Sequence, residues 1–174
     1  MDCSKKKKAR LVLVKKKKDG VERYFFKYAF PCAQVKLKLG SLTKEKYDEL
    51  EGIFFERDAP DKEVLEKAFG AAFRRLNNLA EKMNLEMWDK EVLEKYWTEN
   101  HNEIIDDGDG MYGIASEDFK DLCKVQVAEV IGKSETGLIV KYGEKERSVS
   151  NFLVKDVVIG DMVRIHFAFA IEIV

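Results

Sequence analysis

Residues 163–174, VRIHFAFAIEIV, alternate large apolar side chains with other residues so regularly that only β-structure accommodates them. A helix would scatter Val163, Ile165, Phe167, Phe169, Ile171 and Ile173 around its circumference. A strand puts them all on one face, with Arg164, His166, Ala168, Ala170 and Glu172 on the other. The chain is therefore expected to end in one strand with a single core-facing side. Parity places His166, one of the protein's 2 histidines, away from that core and among alanines, open to approach.

The residues just before this run have the same character. The segments CKVQVAEVI, GLIVKYG and KERSVSNFL are β-prone, with turn residues Gly132, Ser134, Gly137, Gly143 and Gly160-Asp161 between them. Several short strands in about 50 residues predict a small OB-like β-barrel over residues 121–174.

Upstream the apolar period lengthens to that of a helix. Thr43 or Ser41 caps a helix over residues 43–55, with Tyr47, Leu50 and Phe54 on one side. A second helix starts at Asp61 after Pro60 and runs to about Asn84, and a third runs from Asp89 through Trp97 toward Ile104. The last two open on nearly the same words, DKEVLEKAF and DKEVLEKYW, each with an aspartate cap and acids in the first turn. DDGDG at 106–110 lacks the ligand spacing of a calcium loop and reads as a solvated connection.

Residues 9–40 look different again. Asp19-Gly20 separates two β-prone runs, and Tyr24, Phe26, Tyr28 and Phe30 recur at every second position. After Pro31, CAQVKLKLG alternates through Val35, Leu37 and Leu39. An N-terminal antiparallel hairpin or sheet is expected here. The predicted fold is thus α+β: this sheet and about three helices, followed by the barrel. The division falls into an N-terminal region 1–120, with a basic sheet 9–40 and an acidic helical segment 41–105, and a domain 121–174.

Charge follows a similar division. Lys and Arg number 13 against 3 Asp and Glu in residues 1–40, 11 against 22 in 41–122, and 7 against 7 thereafter, so a net charge of −1 conceals segments of +10, −11 and 0. Three cysteines, Cys3, Cys32 and Cys123, show no CxxC spacing and suggest a reducing compartment rather than a disulfide framework. The longest N-terminal apolar run, LVLV, is too short for a signal-peptide core or a membrane span, so a cytoplasmic protein is expected.

The words VVIGDMVRIHFAFAIEIV, preceded by GLIVKYGEKERSVSNFLVKDV, are similar to the final strands of the HypC/HupF family of hydrogenase maturation chaperones, which end on a V-G-D-x-V-x-x-H-x-G-F-A pattern. Continued upstream without a gap, the similarity places Cys123 at that family's essential cysteine and His166 at its histidine. The resemblance implies that Cys123 and His166 act as metal ligands for a transient iron centre bearing cyanide and carbon monoxide. It also implies two partners, a HypD-like assembly protein and the large subunit of a nickel-iron hydrogenase. A soft thiolate and an imidazole suit such iron and leave positions open for hand-over. His101, in TENHNEII, is a possible third ligand, or simply a polar histidine near a helix end.

A different class of function rests on the nine cations Lys5 to Lys8, Arg10 and Lys15 to Lys18. With Tyr24, Phe26 and Tyr28 on an adjoining strand to stack on bases, and an OB-type barrel behind them, they suggest nucleic-acid binding. No GxSxG, P-loop or HExxH motif is present, and no enzyme is expected.

Overall fold

The computed structural model describes residues 20–174. Eight helices come first: α1 (Val21–Ala29), α2 (Ala33–Lys38), α3 (Lys44–Phe55), α4 (Lys62–Ala68), α5 (Gly70–Met83), α6 (Lys90–Lys95), α7 (His101–Asp106) and α8 (Glu117–Cys123). Five strands follow: β1 (Gln126–Ser134), β2 (Gly137–Tyr142), β3 (Lys145–Val149), β4 (Met162–His166) and β5 (Phe169–Ile173). The expected α+β composition is present, but its parts are arranged differently at both ends.

The N-terminal sheet expected over 9–40 is instead helical across Val21–Lys38; residues 9–19 lie outside the described residues. A strand over VERYFFKYAF would turn Phe25 outward with Arg23 and Lys27. The helix instead buries Phe25, Phe26, Tyr28 and Ala29 together. The stretch contains a β-branched residue only at Val21, so little opposes helix formation locally. Pro31 does not end a strand. It occupies the start of a single 3₁₀ turn, Phe30–Cys32, where its missing N–H costs nothing. Gly40, at φ +72°, then closes α2, with Ser41 N–H donating back to the Lys36 carbonyl at 3.0 Å.

The middle of the chain follows its periodicity closely. Thr43 caps α3, its hydroxyl accepting the Lys46 N–H at 3.2 Å. The helix expected from 61 to 84 is interrupted once, at Phe69, into α4 and α5. Both DKEVLEK segments start helices. At the second, the Asp89 carboxylate turns back to accept the Glu86 N–H at 3.0 Å instead of capping α6.

The strands form one antiparallel sheet in the order β3-β2-β1-β4-β5. It is open, not a closed barrel. Between its two edges only Ser150 makes a bridge, to Phe169, donating to the Ala168 carbonyl at 2.8 Å and accepting from Ala170 N–H at 2.9 Å. The loop after β3 supplies Val154 and Val157 to the inner face, where they pack with Val130, Val140, Val163 and Ile165.

The terminal run is also not one strand. Phe167 and Ala168 form a two-residue turn, with Phe167 in the left-handed region at φ +51°, so the run folds back as the β4–β5 hairpin. A bulge shifts the register between Arg164↔Glu172 and Ile165↔Ala170, leaving Ile171 unpaired across the ladder. Ala170 and Ile171, although adjacent, are consequently both buried, the first in the sheet core and the second in the helical core.

The helical and sheet layers are joined by specific polar contacts. Asn102 on α7 pairs with Val125 as a strand would, donating to its carbonyl at 2.7 Å and accepting its N–H at 2.9 Å. The division expected between residues 120 and 121 falls inside α8. From α1, Lys27 at 2.5 Å and Tyr28 at 2.6 Å donate to Glu172 on β5, which also accepts from Arg164 at 2.8 Å. Burial raises the Glu172 carboxyl pKa, but these three donors together hold it below its ordinary value. Glu172→Ala would leave two partly buried cations without their carboxylate. Its expected cost is about 2 kcal/mol by urea unfolding, and an unchanged midpoint would show that the node is not stabilising.

Candidate functional site

Outward-facing residues of β4 become progressively covered along the strand. Met162 is exposed, Arg164 half-buried and His166 fully buried. Within β4 the expected parity holds, Ile165 entering the sheet core and His166 the opposite face; in β5 it is reversed, with Ala170 in the sheet core and Ile171 in the helical one. What the alternation does not reveal is that α1 and the α6–α7 segment cover that second face. His166 is not reachable from solvent.

Its ring is fixed from two directions. Nδ1 lies 2.7 Å from the Tyr28 carbonyl, a contact that requires Nδ1–H as donor. Across the ring, His101 packs edge-on at 5.2 Å and Trp97 at 5.8 Å between centroids. Both come from a helix with an irregularity. Between α6 and α7, residues Tyr96–Asn100 are π-helical, which inserts one more residue per turn and brings His101 beneath both Tyr96 (5.9 Å) and Trp97 (5.0 Å). Tyr28 stacks on the far side of Trp97 at 5.4 Å with a 12° interplanar angle.

Several buried nitrogens here have no hydrogen-bond partner among the described residues: Trp97 Nε1, His101 Nδ1, His166 Nε2 and the guanidinium nitrogens of Arg147. Burial lowers the His166 pKa to about 4, and the Arg147 charge acts in the same direction. His101 is pushed well below its ordinary value, first by burial and then by the neighbouring His166. Both imidazoles are therefore neutral at pH 7.

His101 and Trp97 also line a cavity of about 330 Å³ between α2, α5, the π-helical segment and α8. Apolar walls come from Phe69, Val35 and Ala72, and Cys32, Cys123 and Tyr112 reach the same space. Cys123 is 2 % exposed, and burial pushes its thiol up to about 12. Cys32 is pushed up to about 11 for the same reason, while its Sγ donates to the Ala29 carbonyl at 3.4 Å. Cys3 lies outside the described residues.

Two of the three expected metal ligands, His101 and His166, meet at the junction of the helical and sheet layers. His101 packs on His166, and Cys123 lines the same cavity as His101, with the Phe167 N–H donating to the adjoining Leu122 carbonyl at 3.2 Å. As metal donors they fit poorly. With no metal present, burial favours the protonated Cys123 thiol, and a ligand role would require that proton to leave on binding. No group of three or more His, Cys, Asp or Glu gathers around a common point among the described residues.

The aromatic stacking face expected for nucleic acid is likewise internal: Phe26 and Tyr28 are each 0 % exposed, on a helix and not a strand. The cations of residues 5–18 lie outside the described residues. Among the described residues no helix is long and apolar enough to cross a membrane.

The cavity itself was not foreseen from sequence. Trp97 fell within the helix expected from Asp89, but the π-helical turn that aims it has no periodic signature. Lys36, Arg75 and Tyr112 had no motif at all. No protein family, curated protein or solved structure matches the chain.

Proposed function

We propose that this protein is a non-catalytic accessory module that binds a small, mostly apolar molecule in the cavity between α2, α5 and α8. The observation carrying this reading is the cavity of about 330 Å³, walled by aromatic and aliphatic side chains and reached by His101, whose Nδ1 is unpartnered. That size is at the low end of ligand pockets, which run from about 300 to 1,000 Å³. Apolar walls with a few polar groups are how such sites combine affinity with orientation.

Delivery of cyanide-ligated iron, the role implied by the HypC/HupF resemblance, draws less support from this junction. Cys123 and His166 are both buried, whereas a hand-over site must be reached by its partner. Acid–base catalysis draws little, since His166 is fully buried and no carboxylate lines the cavity beside His101.

The test is calorimetric titration of the full chain with a panel of eight-carbon aliphatic compounds. Binding is expected for the intact protein and is expected to vanish in Ala72→Phe, which fills the cavity from α5, with circular dichroism confirming the fold. If the panel fails to bind, or if Ala72→Phe binds as well as the parent, the reading is wrong.

A further inference from the structure

The charges around this cavity are one-sided. Lys36, Arg74 and Arg75 line it and no Asp or Glu does, in a chain whose 31 Lys and Arg are matched by 32 Asp and Glu. Asp109, just outside the lining, accepts from Arg75 through Nε at 2.8 Å and Nη2 at 2.5 Å, and it lies 3.8 Å from Arg74. One carboxylate therefore serves two guanidinium groups. Lys36 is left over.

Lys36 is partly buried on α2, and its Nζ rests 5.8 Å from the centre of the Phe69 ring. Among the described residues it has no carboxylate partner. Partial burial of an ammonium without a counter-ion is unfavourable, and the ring face compensates only in part. Lining the cavity beside the Phe69 ring, Lys36 can meet the polar end of an amphiphile bound there.

We infer that the ligand is an amphiphilic monoanion, an aliphatic or aromatic carboxylic acid, whose apolar body packs against Phe69 and Trp97 while its carboxylate pairs with Lys36. This rests on the reading of the cavity given above and narrows it. The cationic lining disfavours amines, which would meet the unpaired Lys36 and two guanidinium groups that share one carboxylate. His101, neutral and buried, lies on the cavity wall beside Trp97, where it adds no charge to attract a second anionic group.

Octanoate, octanol and octylamine share one apolar tail and differ in head-group charge, so calorimetric titration of the full chain with each separates the two proposals. Octanoate is expected to bind at least about tenfold more tightly than octanol, the gain of one charge-assisted hydrogen bond, and octylamine more weakly than either. Lys36→Met, which keeps the stem and removes the charge, is expected to reduce octanoate to the octanol affinity while leaving octanol unchanged. Equal binding of octanoate and octanol to the parent overturns the anion inference but leaves the apolar cavity reading intact, as does an undiminished preference in Lys36→Met. Binding of neither overturns both.

Discussion

Trp97→Ala is expected to destabilise the protein by about 3–5 kcal/mol, the usual range for truncating a fully buried aromatic. Trp97 is 2 % exposed and its ring touches Phe25, Tyr28, Tyr96, His101 and His166, so one side chain joins α1, the π-helical turn and β4. Its removal leaves a void among groups held in place by each other, and two neutral imidazoles lose an apolar neighbour that excludes water. Urea unfolding followed by circular dichroism measures the loss. Trp97→Phe should cost less because an aromatic face remains against Tyr28. If alanine costs under about 1 kcal/mol, the junction relaxes around the gap, and Trp97 is not the centre of it.

The second large effect is a loss of stability in mild acid. Unfolded histidine has a pKa of about 6.5, whereas burial lowers that of His166 to about 4 in the folded protein. Between these values the unfolded chain binds more protons than the native one, so stability rises with pH across that window. The contribution is fully present above pH 6.5 and lost as pH falls toward 4. For His166 alone the change is about 3 kcal/mol, from roughly 1.4 kcal/mol per unit, and His101 acts in the same direction. Carboxylates titrating nearby do not imitate it in the upper half of the window, where Asp and Glu remain ionised. Urea midpoints at pH 7.0, 6.0 and 5.0 should therefore decline steadily in the parent and less in His166→Gln, whose side chain takes up no proton. A flat profile in the parent, or an identical slope in the variant, would exclude a buried neutral His166.

The two effects share a cause. Trp97 excludes water from the imidazoles, and the imidazoles tolerate burial only while neutral. Trp97→Ala should accordingly also reduce the pH slope, because hydrated histidines return toward their ordinary pKa.

The same region shows how far the residues could be read before the fold was known. Helices α3, α5 and α6 were legible because apolar residues such as Tyr47, Leu50 and Phe54 recur at a spacing that a strand cannot bury. Residues 21–30 were misread because their apolar content satisfies two periods at once. Tyr24, Phe26, Tyr28 and Phe30 fit a strand, and Phe25, Phe26, Tyr28 and Ala29 fit a helix face. Local pattern cannot decide between them. Burial of Phe25 against Phe69, Phe73 and Trp97 does.

The candidate site divides in the same way. His101, Cys123 and His166 were singled out from sequence, and the fold packs the two histidines together, with Cys123 lining the same cavity as His101; the roles drawn for them assumed an accessible thiolate and imidazole. Lys36, Arg75 and the cavity they line arise from contacts between α2, α5 and the turn after α7, none of which leaves a mark on local spacing.

By itself the sequence determined that the part after residue 125 is built mainly of short strands, that residues 44–106 are mostly helical, and that Ile165 and His166 face opposite ways, because side-chain direction in a strand is fixed by backbone geometry every two residues. Only the tertiary structure decided that the terminal run turns back at Phe167, that the sheet stays open, and that the face carrying His166 is covered. Those outcomes depend on which surfaces meet across long separations in sequence, and burial, unlike periodicity, belongs to the pair of surfaces and not to either segment alone.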